Sequence, residues 1–218
     1  MSTTDSPQPA AFAFGRTRDW PGYFRAVAQG EPRQTLLDAL ALFDADGLRA
    51  DRKPFAIDLG AGEGRDTAEL LRRGWAVLAT DGHPKGIELL TSRPDLTHAD
   101  RLTARVETFE TLSELPAADL INASFSLPFC HPEHFERVWK LIVDALPAGG
   151  RFAGQIFGDR DGWAGIPDRS HFSRTEAERL FEGFLLESFR EDEKDAKDAA
   201  GNQKHWHLFH VVARKLGG

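Results

Sequence analysis

Sulfur and positive charge are what this sequence has little of. Its 218 residues contain one cysteine, Cys130, and one methionine. A lone cysteine cannot close an internal disulfide, and Cys130 is read as a small apolar residue of the interior, because a reactive thiol needs a lowered pKa. Lysine and arginine number 27 against 34 aspartates and glutamates, a formal charge of -7 with a pI near 5.6. Nucleic-acid phosphates require a clustered basic face, and none is found, so no nucleic-acid partner is expected. No run approaches the ~18 apolar residues of a membrane span and no leader pattern opens the chain, so a cytoplasmic protein with no membrane partner is expected. Internal repeats are also absent. A hydrophobic content of 41% suffices for one sizeable core, and a single domain over residues 11–218 is expected after a Ser-, Thr- and Pro-rich disordered tail at 1–10.

What is present is concentrated at one turn. The apolar run Phe55-Ala56-Ile57-Asp58-Leu59 stops at Gly60-Ala61-Gly62-Glu63-Gly64, three glycines spaced one residue apart. This reads as a strand entering a helix through a nucleotide-binding turn, where main-chain N–H groups and a helix N-terminus face a polar ligand. The dinucleotide fingerprint is G-x-G-x-x-G, so the spacing disfavours a nicotinamide dehydrogenase. Asp58 beside the turn and Asp66 after it suit a cationic amino-acid end better than a pyrophosphate, and S-adenosyl-L-methionine is such a ligand. An acid for ribose is expected at the end of the next strand. The run 75–80 ends there in Asp81.

Elsewhere, alternating strand and helix patterns predict a mostly parallel seven-stranded sheet with helices on both faces and a C-terminal antiparallel hairpin. Trp20, Tyr23, Phe24 and Val27 recur at helical steps, either as core or as a lid helix over the cofactor mouth. Arg33 opens the next helix, an unfavourable place for a cation unless an anion is nearby. Glu107, Thr108 and Phe109 follow the third strand, where a polar side chain beside a flat one could read adenine. The fourth strand leads through Ser124 into an aromatic loop with Phe125 and Phe129, and the loop 158–171 with Trp163 stands at another carboxyl strand end, where open α/β sheets bind ligands. The charged stretch 191–203 separates the last two apolar runs, and Glu191-Asp192-Glu193-Lys194-Asp195 within it reads as a solvated edge or loop. His205 and His207 alternate on one strand face, but no cysteine or second histidine pair accompanies them, so a polar sheet face and no metal site are expected.

Together, the turn from Asp58 to Arg65, Asp81 and the Pro147-Ala148-Gly149-Gly150 turn resemble class I S-adenosylmethionine-dependent methyltransferases over about residues 30–215. The arginine before the first strand, the Gly-x-Gly-Arg turn and the segment 172–215 are most similar to the tellurite-resistance-type small-molecule methyltransferases. The resemblance implies that Asp58, Gly60, Ala61 and Gly62 line the methionine end, that Arg33 pairs with its carboxylate, and that Asp81 holds ribose. Thr108 and Phe109 would flank adenine, with Ser124 near the same cleft. The adenine position usually carries Asp, whereas here it is Thr108, with Glu107 as a possible substitute.

The expected activity is methyl transfer to a small-molecule acceptor such as a thiol or chalcogen oxyanion. The alternative is a non-catalytic S-adenosylmethionine-binding or protein-interaction domain. The substrate pocket is expected from Trp20, Tyr23, Phe125, Phe129 and Trp163. A general base is needed only for a protonated nucleophile, and His131 and His171 are the weak candidates. Composition gives no oligomeric state.

Overall fold

Five apolar runs form the parallel heart of a sheet in the computed structural model, which describes residues 18–28, 30–47 and 53–217. The tail expected at 1–10 lies outside the described residues. Strands β1 (Phe55–Leu59), β2 (Ala76–Asp81), β3 (Leu102–Val106), β4 (Leu120–Ala123) and β5 (Arg151–Gly158) are parallel, β8 (Gln203–Lys215) runs antiparallel to β5, and β7 (Phe184–Lys197) antiparallel to β8. The order is β3-β2-β1-β4-β5-β8-β7. The expected mostly parallel architecture with a C-terminal hairpin is borne out. An eighth strand, β6 (His171–Phe172), pairs parallel with the end of β5; two residues are too few to carry a periodicity, so the sequence did not announce it.

The chain starts at the centre. It builds β1, β2 and β3 outward in one direction, then returns to lay β4 on the other side of β1. Where the winding reverses, the loops after β1 and β4 diverge and leave a crevice at the carboxyl ends of the strands.

Helices cover both faces, which is why β1, β4 and β5 read as nearly continuous apolar runs. Ala56, Val77, Ala153 and Val212 face Leu36, Leu40 and Phe43 of α2 (Gln34–Asp46) and Leu70 and Leu71 of α3 (Arg65–Arg72). The intervening residues Ile57, Ile121 and Phe152 face Phe135, Val138, Trp139 and Ile142 of α5 (Pro132–Ala145). Helices α1 (Trp20–Val27), α4 (Pro84–Thr91) and α6 (Arg174–Leu180) complete the layers. A capping box of Ser173 and Glu176 closes the N-terminus of α6.

The charged stretch is strand for most of its length, so of the edge and loop readings the edge holds over 191–197. β7 continues to Lys197 and only the Asp198 turn, whose carboxylate accepts from the Ala200 and Asn202 N–H groups, separates it from β8. Charges fit here because β7 is an edge strand whose residues pair across to β8: His205 with Asp195 at 2.8 Å and His207 with Glu191 at 2.9 Å. A register shift between Leu186 and Ser188 marks Glu187, which accepts from buried Arg151 at 2.6 Å, while Arg151 also reaches Asp46 of α2 at 2.5 Å.

Candidate functional site

The turn after β1 requires glycine for two separate reasons. Gly60 has φ +72, and a Cβ there would come within 2.3 Å of the Ser126 Cβ, on the loop after β4. Gly62 has φ +57 and lies under the ring of Phe24, so α1 packs directly on the turn. The turn is tied to the next strand by Asp81. Its carboxylate, at the end of β2, accepts from the Gly62 N–H and the His83 N–H, both at 2.8 Å. Burial holds the Asp81 carboxyl above its ordinary range, opposed by those two N–H groups. Each carboxylate oxygen keeps a second lone pair, so hydroxyl donors can still be accepted.

At the other end of the turn stands an acidic cluster. Asp58 accepts from the Thr67 hydroxyl at 2.6 Å and from Asn122 Nδ2 at 2.9 Å. Asn122 Nδ2 also donates to Asp66 at 3.0 Å, Ser124 Oγ donates to Asn122 Oδ1 at 3.1 Å, and Asp66 accepts from the Arg33 N–H at 2.8 Å. Burial, and then the negative charge of Asp66, push Asp58 up to about 7. A cation arriving beside this pair would relieve that cost. The Arg33 guanidinium is turned away from it, lying 4.5 Å over the Phe125 ring and donating to Tyr23 Oη at 3.4 Å.

These groups line one cleft of about 260 Å³, together with Gly60, Ala61, Gly62, Ser124 and, across the mouth, Glu107, Thr108, Phe109 and Glu110. Thr108 is engaged in a turn with Thr111, their hydroxyls 3.3 Å apart, whereas the Glu107 backbone N–H donates to Asp81 O at 2.9 Å. A second cleft of about 400 Å³ opens beside it and shares the wall formed by Arg18, Trp20, Tyr23, Arg33, Phe125 and Phe129. Trp163 lines the second cleft alone. The structure thus brings the sequence-selected cofactor residues to one cleft and the sequence-selected aromatics to its neighbour.

The two histidine candidates lie elsewhere. His131 caps α5, accepting from the Glu133 N–H at 3.3 Å, and His171 is packed 5.6 Å from the Phe157 ring with its pKa lowered by burial. Neither lines either cleft. The structure instead puts Trp206, Leu208 and His210 in the wall of the second cleft. They occupy the face of β8 opposite His205 and His207, so the period-two pattern that drew attention to one face held this signal on the other. Burial, followed by repulsion from Arg190, pushes His210 down to about 4. On the opposite face, ligand atoms of Glu191, Glu193 and His207 lie within 4.8 Å of one another. The Arg160 guanidinium stands among them, 2.9 Å from Glu191, 2.7 Å from Glu193 and 3.0 Å from His207 Nε2, so a side-chain cation fills that place.

A reversed-order parallel sheet, a glycine turn with an acid after β2, and an acidic end suited to an ammonium define a methyltransferase-like fold. Residues 56–150 match the family model described as a methyltransferase domain. The chain is similar to TehB from Haemophilus influenzae (17% identity, TM-score 0.66, 82% of this chain and 61% of that one). It is also similar to the 1,6-didemethyltoxoflavin-N1-methyltransferase of Burkholderia thailandensis (22%, 0.59, 98% and 93%). A third likeness is to the magnesium protoporphyrin IX methyltransferase of Synechocystis PCC 6803, with bound S-adenosylmethionine (12%, 0.64, 94% and 95%). The chain spans 61% of the length of TehB, and at these identities the likeness is one of fold. No curated protein matches the sequence. The expected resemblance to S-adenosylmethionine-dependent methyltransferases is borne out, and the match and the neighbours support S-adenosyl-L-methionine as the cofactor.

Proposed function

We propose that this protein is an S-adenosylmethionine-dependent methyltransferase acting on a small-molecule acceptor in the cytoplasm. The observation that carries the reading is the pair of clefts with one common wall: acid-ended and glycine-floored on one side, aromatic on the other. Asp58 and Asp66 would face the ammonium, Arg33 the carboxylate, and Asp81 the ribose hydroxyls. Gly60, Ala61 and Gly62 supply a floor without side-chain bulk, Ser124 orients Asn122, and Glu107, Thr108 and Phe109 border the adenine. When bound, the cofactor supplies an electrophilic methyl group on a sulfonium.

The residues of the common wall would do the rest. Trp20, Tyr23, Phe125 and Phe129 exclude water and confine the nucleophile, with Trp163 behind them, and holding the reactants in line is the larger part of such catalysis. No base is assigned to His131 or His171. Calorimetry with S-adenosylmethionine and S-adenosylhomocysteine should give saturable binding and NAD none. Turnover over thiols, chalcogen oxyanions, halides, phenols and amines should then find a methylated product. Absence of binding by both sulfur compounds would sink the reading, and tight binding without any turnover would favour the non-catalytic alternative.

A further inference from the structure

The second cleft is bounded by a closed circuit of side chains. Trp20 touches Phe129 with ring centroids 4.9 Å apart, Phe129 lies 6.1 Å from Trp163, Trp163 5.7 Å from Trp206, and Trp206 6.4 Å from Phe125. Arg33 lies on the Phe125 ring and donates to Tyr23, and Tyr23 meets Trp20 at 5.9 Å, closing the loop. The ring-to-ring contacts are edge-on or tilted, so ring faces are left for a flat guest. A cavity of about 400 Å³ is in the range of small organic ligands and far larger than a bare oxyanion needs.

An aromatic collar of this kind could also hold a cation, but cations already lie over one face of four of its rings, Phe125, Phe129, Trp163 and Trp206. Besides Arg33, the Arg169 guanidinium lies 4.7 Å over Phe129, and Lys204 Nζ lies 3.7 Å over Trp206 and 4.4 Å over Trp163. The acids of the lining are engaged: Asp192 with Lys194 at 2.8 Å, Asp198 with the hairpin N–H groups, and Asp19 with the Gly22 N–H at 2.9 Å. Arg33 has no carboxylate partner among the described residues. Arg18 pairs with Asp168 at 2.9 Å and keeps a buried Nε without a hydrogen-bond partner. Burial, and then the charge of Arg18, push Arg169 down to about 10.

We propose, resting on the methyltransferase reading above, that the acceptor cleft takes a planar conjugated anion, stacked within the collar and held by Arg18. An acceptor that binds as the anion brings the electron pair for its new bond to the methyl carbon. The carbon–sulfur pair stays on sulfur and no proton has to be removed. That agrees with His210, whose low pKa makes it a poor base.

Calorimetry with 2-naphthoate, 2-naphthamide, 2-naphthylmethylammonium and selenite tests this on the whole protein, with and without S-adenosylhomocysteine. Naphthoate should bind at least tenfold more tightly than the other three, and its affinity should fall with added salt while that of the amide does not. Arg18→Gln should remove most of the carboxylate's advantage and change amide affinity less than twofold, and Trp206→Ala should weaken both. Equal or tighter binding of the ammonium probe or of selenite, or no binding of naphthoate, overturns the proposal. Failure of S-adenosylhomocysteine to bind overturns the methyltransferase reading instead, and naphthoate binding to the protein alone still decides this one.

Discussion

Asp58 carries the heaviest electrostatic cost at the site. Its carboxyl is raised to about 7, above the unfolded value, so the folded state holds a proton that the unfolded state has released between roughly pH 4 and 7. Stability from this group is therefore full below that window and is lost as pH rises through 7. Asp58→Asn keeps the shape and removes the buried charge. It should raise stability at pH 8 by about 1–3 kcal/mol and have little benefit at pH 4, as followed by thermal denaturation across pH. The same change should weaken S-adenosylmethionine binding by roughly tenfold or more, because a charged partner for the ammonium is gone. Asp81 differs, since both its oxygens hold backbone N–H groups. Asp81→Ala should cost roughly 1.5–3 kcal/mol of cofactor affinity and also loosen the glycine turn. Unchanged affinity by calorimetry in the folded variant would remove Asp81 from the ribose.

Among the elements, α2, β5 and β7 are joined by one side chain. Arg151 is 2% exposed and bonded to Glu187 and Asp46. Arg151→Ala leaves the partly buried Glu187 carboxylate with only Arg214, at 3.3 Å, among the described residues and should destabilise the fold by about 3 kcal/mol in chemical denaturation, with cofactor affinity nearly unchanged. Helix α6 offers a milder check: Ser173→Ala breaks the capping box and should cost about 1 kcal/mol. Elements were legible in the sequence where one period ran long enough, as in the five parallel strands. The charged half of β7 was not, because an edge strand can hold charges on both faces when its neighbour answers them. The cofactor cleft was legible because glycine spacing and Asp81 are local signals. The wall containing Trp206 and His210 was not, since nothing in β8 says which of its faces meets α1 across the molecule.

For the whole molecule, the common wall couples the two clefts. Helix α1 rests on the glycine turn through Phe24 and reaches Phe129 through Trp20, so a ligand that fills the first cleft should steady the rim of the second. Amide exchange in residues 20–27 should slow when S-adenosylhomocysteine is bound, while β5 exchanges as before. Equal exchange in both states would separate the helix from the cofactor.

The order of strands in space also sets a condition on synthesis. β8 fills the slot between β5 and β7, so a segment made after both of its neighbours is an interior member of the sheet. Until it arrives, β5, buried along its whole length in the finished protein, has an open apolar edge, and β7 has no neighbour through which to join. A nascent chain paused before Gln203 is therefore a sticky, half-closed sheet that depends on chaperones or on speed, and the hairpin's short turn is what lets the missing strand fold back promptly once it emerges.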